Sequence, residues 1–312
     1  MNANLSPKDL AAIIGVSESS LKRWVDEGRL AAARTAGGHR RIALTDAVRF
    51  IRETHQPLVQ PELLGMAELG GATTNGAASA PESVLLDALQ AGRAQEARGL
   101  IIAQFLSSRS VAAVFDGPIS HAMHRIGEIW KHSSDGIMIE HRATEICMDS
   151  VRQVRLLLPV VPHGAPVALG CAAPGDQHHL PSLMSATTLL EVGYKDINLG
   201  PDLPIESLIS AIREHNPRIV WMSVSTGADR SAITPHIDRL AALVAKSGAS
   251  LILGGRGVYA LPPLNQPSTH IVGSMAELGA FARGLRNQNA AGSPHAARST
   301  RPARAPDHAA NK

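Results

Sequence analysis

The sequence predicts a multidomain protein in which a winged helix-turn-helix is followed by a four-helix bundle and a doubly wound α/β domain. Three observations predict this order. Residues 5–53 form a compact helical pattern with a basic loop, and residues 81–160 have almost purely helical periodicity. From Ala165 the rhythm changes to short apolar strands alternating with amphipathic helices. A length of 312 residues exceeds one comfortable core. With 44% hydrophobic and 18% charged residues the chain is globular rather than disordered.

The N-terminal segment, residues 1–55, starts with Ser6-Pro7, a helix N-cap followed by proline at the first helical position. LSPKDLAAIIG ends at Gly15, and Ser17 then caps SESSLKRWVDEG, which ends at Gly28. Two short helices joined by a glycine-containing turn present the second helix to a DNA major groove. Ile13, Val16, Leu21 and Trp24 are the spacers between them. Ser19, Ser20, Lys22 and Arg23 are expected to face outward, suited to phosphates and base edges. Gly37-Gly38 makes a tight turn whose tip carries His39, Arg40 and Arg41, a basic wing for the flanking backbone.

Residues 56–80 are rich in Gly, Ala, Pro and Thr and are expected to be a flexible linker. Residues 81–162 are expected to be the bundle, with a break near Ser133–Gly136. Residues 163–286 carry the apolar strands APVALGCAA, KDINLG, IVWMSVS, SLILGG and THIVGS between helical runs. Such alternation means a parallel sheet covered on both faces, of the flavodoxin-like, Rossmann type. Residues 287–312 have no periodicity and are expected to be a solvated tail, in which Arg298, Arg301 and Arg304 add weak positive charge.

In a doubly wound sheet, ligands bind beyond the carboxyl ends of the strands. The first such loop reads Pro174-Gly175-Asp176-Gln177-His178-His179-Leu180-Pro181. A histidine there can ligate a metal through one ring nitrogen while an Asp two residues earlier accepts the other N–H. D-x-H alone is a weak signal. Two later loops add to it: Ser223 stands at the end of one strand, and Gly254-Gly255 lets a flat ligand approach the backbone of the next. No other His, Asp or Glu cluster at ligand spacing suggests zinc, and no G-x-S-x-G elbow suggests a hydrolase.

LSPKDLAAIIGVSESSLKRWVDEGRL followed by AGGHRRI resembles the MerR family of regulators. The D-x-H loop with the Ser and Gly-Gly loops resembles the cobalamin-binding domain shared by methionine synthase and B12-dependent mutases. Trp130, separated by nine residues from Glu140-His141, resembles the cap over the upper corrin face in MerR-type light-dependent repressors, the CarH/LitR family. The three-part order is also theirs, over about residues 5–285.

The resemblance implies adenosylcobalamin as cofactor, with cobalt held by His178 and Asp176 as its hydrogen-bond partner. Ser223, Gly254 and Gly255 would flank the dimethylbenzimidazole, and Trp130, Glu140 and His141 would meet the adenosyl group. It further implies operator DNA as partner, a homo-oligomer that is dimeric or tetrameric, and release of DNA in light. Two departures stand out. Pro181 replaces a glycine of the cobalamin-binding motif, and Lys131 stands where some relatives have a histidine, with His132 one residue later.

Alternatives stay open at this point. The sensor could bind another cobalamin form or haem, or act as a cofactor-free interaction module. The wing and the lack of a substrate barrel argue against an enzyme. The opening MNANLSPKDL has no apolar signal core and no run approaches membrane-spanning length, so a soluble cytoplasmic protein is expected. A net charge of +3 permits nucleic acid without demanding it. Cys147 and Cys171 sit in apolar runs and are expected to be buried.

Overall fold

The structure is a computed structural model and describes residues 4–66, 68–69, 82–130, 135–263 and 266–291. The head opens with β1 (Asn4–Leu5), α1 (Pro7–Ile14) and α2 (Glu18–Asp26). Ser6 accepts the Asp9 amide while Asp9 accepts the Ser6 amide, a reciprocal capping box, and Gly15 closes α1 in the left-handed region at φ 69°. Ser17 caps α2 by accepting the Ser20 amide. The wing follows as β2 (Ala33–Arg34) and β3 (Arg40–Ala43), antiparallel with Arg34 opposite Arg40, and then α3 (Leu44–Thr54). Ile13 and Leu21 are fully buried between the helices, with Val16 and Trp24 packed against the same core.

The segment expected to be a flexible linker is folded in its first half. Val59 N–H donates to Ile13 O at 2.7 Å, and a 3-10 turn covers Pro61–Leu64. Leu64, Met66 and Leu69 are buried in a core that runs from the head through the helical region. These three apolar side chains remove enough surface from water to anchor a segment whose composition is otherwise that of a linker. Residues 67 and 70–80 lie outside the described residues.

The helical region consists of α4 (Glu82–Gln90), α5 (Ala94–Ser107), α6 (Val111–Val114), a π-turn over Phe115–Ile119, α7 (Ser120–Trp130) and α8 (Gly136–Leu157). The π-turn holds Pro118, which has no amide to give to an α-helical ladder.

The C-terminal domain is a five-stranded parallel sheet built from β4 (Val167–Ala172), β5 (Lys195–Asn198), β6 (Ile219–Ser223), β7 (Ser250–Gly254) and β8 (Thr269–Val272). Its order is β5-β4-β6-β7-β8. Helices α9 (His179–Val192) and α12 (Met275–Ala291) cover one face, α10 (Ile205–His215) and α11 (Arg230–Lys246) the other. The strand order reverses between β4 and β6, and the crevice above that reversal is the usual place for a ligand.

Helix α12 runs to Ala291, five residues into the expected tail, because Asn287–Ala291 holds no proline or glycine to stop it. The remainder of the tail, with Arg298, Arg301 and Arg304, lies outside the described residues. Cys147 and Cys171 are buried free thiols. Among the described residues no helix is long and apolar enough to cross a membrane.

The helical region and the sheet domain share polar joints. Asp116 in the π-turn accepts the amides of Met275 and Ala276 at 2.8 and 2.9 Å, capping α12 from the other unit. Arg155 of α8 pairs with Asp196 at 2.7 Å, and Arg256 donates to His124 Nδ1 at 3.3 Å.

Candidate functional site

The loop between β4 and α9 is held by hydrogen bonds to its neighbours in the fold. Gly175 takes φ 74°, and its amide donates to Asp202 Oδ1 at 2.7 Å. Gln177 donates to the other Asp202 oxygen at 2.8 Å. Asp176 is 1% exposed. Its Oδ1 accepts the His178 amide at 3.1 Å and ring Nδ1–H at 2.8 Å, and its Oδ2 accepts the Ser225 amide at 2.7 Å. A carboxylate has no proton to give, so Nδ1 carries the hydrogen, and in the neutral ring Nε2 keeps its lone pair. The His178 side chain is 57% exposed, and among the described residues no partner occupies Nε2.

Burial pushes the Asp176 carboxyl up, but the hydrogen bonds from His178 and Ser225 outweigh it and hold it below its ordinary value. The hydrogen bond to Asp176 raises His178 above its ordinary value against the effect of desolvation, and the charges of Asp176 and Glu140 add to the rise. Glu140 belongs to α8 of the helical region.

Below the loop, Ala172, Ser223 and Gly254 pair in register across β4, β6 and β7. They form a row of small residues at the sheet's carboxyl end, on the side covered by α9 and α12. Ser223 Oγ is buried and has no hydrogen-bond partner in the described structure. A Cβ at Gly254 would meet Val272 O at an ordinary 3.5 Å, so packing does not demand glycine there. Gly255 differs. It takes φ 98°, and a Cβ would collide with Val224 O. One row deeper, the Trp221 indole lies over Gly170, and its Nε1 donates to Ser182 Oγ at 3.1 Å.

The fold thus brings Asp176, His178, Ser223, Gly254 and Gly255 to one end of the sheet, and the charge of Glu140 on α8 acts on the His178 ring. Glu140 is half-buried and accepts Thr144 Oγ1 at 3.0 Å, whereas the neighbouring His141 side chain is 75% exposed. Trp130 ends α7; its side chain, like Lys131 and His132, lies outside the described residues. Pro181 is the third residue of α9, where its missing N–H would have had no helical partner. Sequence reasoning missed Asp202 and the Ser225 amide. A Pro-Asp-Leu-Pro turn at the same sheet end was the available signal for the first.

Residues 5–55 match the helix-turn-helix domain family. In the head, Lys22 pairs with Glu18 at 2.9 Å, Arg23 is exposed, and the Ser19 and Ser20 hydroxyls meet Ser17 Oγ at 2.8 and 2.9 Å. His39 and Arg41 are exposed at the wing, while Arg40 turns inward to pair with Asp26 of α2. Arg34, unnoticed in the sequence, is exposed on the same hairpin.

No curated protein matches the chain. Among solved structures it is similar to the monomethylamine corrinoid protein of Methanosarcina barkeri, with 16% identity, a TM-score of 0.45, and coverage of 64% of this chain and 96% of that one. It is similar to the methanol:cobalamin methyltransferase complex of the same organism at 13% identity and TM-score 0.32, covering 77% of this chain and 88% of that chain. A cobalamin-binding protein of Desulfitobacterium hafniense is similar at 16% identity and TM-score 0.31, covering 67% and 98% of the two chains.

Proposed function

We propose that the chain is a DNA-binding transcriptional regulator, not an enzyme, whose α/β domain holds adenosylcobalamin through His178. The pair formed by Asp176 and His178 carries this reading. A buried carboxylate fixes the tautomer, and the free Nε2 offers one protein ligand, which is what a metal already held in a macrocycle lacks. The row Ala172–Ser223–Gly254, with an unsatisfied hydroxyl at its centre, fits the flat base of a nucleotide tail. When bound, adenosylcobalamin would supply a light-labile Co–C bond.

The residues of the chain do the rest. His178 holds cobalt, Asp176 orients the ring, and Glu140, His141 and Trp130 are the groups the helical region offers to the upper face. Lys22, Arg23, His39 and Arg41, with Ser19 and Ser20, face DNA from the head. Asp116, Arg155 and Arg256 join helical region to sheet, an interface suited to a two-state switch between dark and light. Light-driven repressor release then follows from lost avidity between copies.

Size-exclusion chromatography with in-line absorption, after adding adenosylcobalamin in darkness and after green light, tests the reading. A co-eluting corrinoid spectrum and a smaller species after illumination are expected. Elution free of corrinoid would overturn the cofactor assignment, and an unchanged size after illumination would overturn the light switch.

A further inference from the structure

Helix α3 belongs to the head, yet its last turn is anchored outside it. Arg52 is only 7% exposed. Its Nε donates to Phe105 O at 3.1 Å and Ser108 O at 2.9 Å, the carbonyls that end α5. The guanidinium carbon lies 4.1 Å from the Phe105 ring centroid. Its Nη2 donates to Glu191 Oε1 at 2.7 Å, in the last turn of α9. Glu191 in turn accepts the Val111 amide on both oxygens, at 3.1 and 3.0 Å, where α6 begins. Head, helical region and sheet domain therefore meet on one ion pair. A second contact runs beside it, where Arg109 donates to His55 Nε2 at 2.6 Å.

The chemistry makes this joint selective. A guanidinium at the carboxyl end of α5 satisfies orphan carbonyls and complements the helix dipole. Removing either member of a buried pair leaves the other charge stranded, so the joint holds firmly or not at all. Its placement matters more. Helix α9 is one 14-residue rod whose first residue follows His178 and whose penultimate residue is Glu191.

We infer that Arg52 and Glu191 are positioning residues that lock the head in one orientation on α9, so that the helix carrying the His178 loop also sets how the head is presented to DNA. Independent domain motion is the ordinary expectation for linked domains, and this pair suppresses it. The joint is built from protein groups alone, and only its use as a coupling rests on the function proposed above.

The test uses the full chain with spin labels at Lys8→Cys on α1 and Lys195→Cys on β5, both exposed positions, while Cys147 and Cys171 are buried. Pulsed dipolar spectroscopy should give one narrow distance distribution. Glu191→Gln keeps an acceptor for the Val111 amide but removes the charge, and should broaden the distribution by about twofold or more. Arg52→Lys, too short a fork to reach both carbonyls and Glu191, should do the same, and Glu53→Gln on the exposed side of α3 should not. A broad distribution in the parent, or an unchanged one in a Glu191→Gln chain that melts cooperatively, overturns the inference. Because neither corrinoid nor DNA is present, a failed cofactor assignment leaves this result readable.

Discussion

His178 Nδ1–H donates to the Asp176 carboxylate at 2.8 Å, and that carboxylate is also held by the Ser225 amide from the end of a neighbouring strand. The imidazole is therefore aimed by two strands of the sheet, not by its own loop alone.

Asp176→Asn tests this aim. An amide in place of the carboxylate weakens the Nδ1–H acceptor and the ring's basicity. Affinity for hydroxocobalamin, followed by absorbance titration, should fall about 10- to 100-fold, as for other partners that orient a metal ligand. An affinity equal to the parent's would mean that His178 does not bind the metal.

Gly254 and Gly255 should separate fold from ligand. Gly255→Ala forces a Cβ against Val224 O at φ 98° and should lower the melting temperature clearly. Gly254→Ala meets only ordinary contacts, so the melting temperature should hold while corrinoid retention on gel filtration drops. Equal retention by the Gly254→Ala chain would show that no ligand lies on that row.

The basic residues of the head should divide in the same way. Replacing exposed Arg23 or Arg41 by Ala should weaken binding to duplex DNA across sequences and reduce the salt slope by about 1 each, read by fluorescence anisotropy over a salt series. Arg40→Ala removes the tie between the wing and Asp26. Its signature should be faster hydrogen exchange in residues 33–43 as well as weaker binding.

Burial pushes the Cys147 and Cys171 thiols from 9.0 up to about 12. Neither should react with iodoacetamide at pH 8 in the folded chain, and both should react in urea, counted by mass spectrometry. The folded state favours the neutral thiol, so this contribution to stability is complete below pH 9 and declines as pH rises from 9 toward 12. Labelling of either thiol in the folded chain at pH 8 would contradict their burial.

Much of the fold was legible because its signals are local. Ser6-Pro7, Gly15 and Ser17 write the head's helix ends within a few residues of one another. The Val, Ile and Leu runs of β4, β6 and β7 stand out because both faces of the sheet are covered. Leu64, Met66 and Leu69 were lost in the average of a Gly- and Ala-rich segment, although their burial anchors its first half. Asp176 and His178 could be read together because they are two residues apart. Arg52 and Glu191 could not, because 139 residues separate them and nothing in either neighbourhood marks a buried charge. Asp202 was hidden for the same reason: its partners Gly175 and Gln177 come from another loop of the sheet.

The cap that Asp116 places on α12 has its own consequence. The first turn of that helix takes its amide acceptor from a π-turn some 159 residues earlier, in a different unit of the chain. Drawing the two units apart would leave the amides of Met275 and Ala276 unanswered and fray α12 from its first turn, beside the row that ends at Gly254. Separation of the units and loosening of the sheet's ligand wall are therefore one event rather than two.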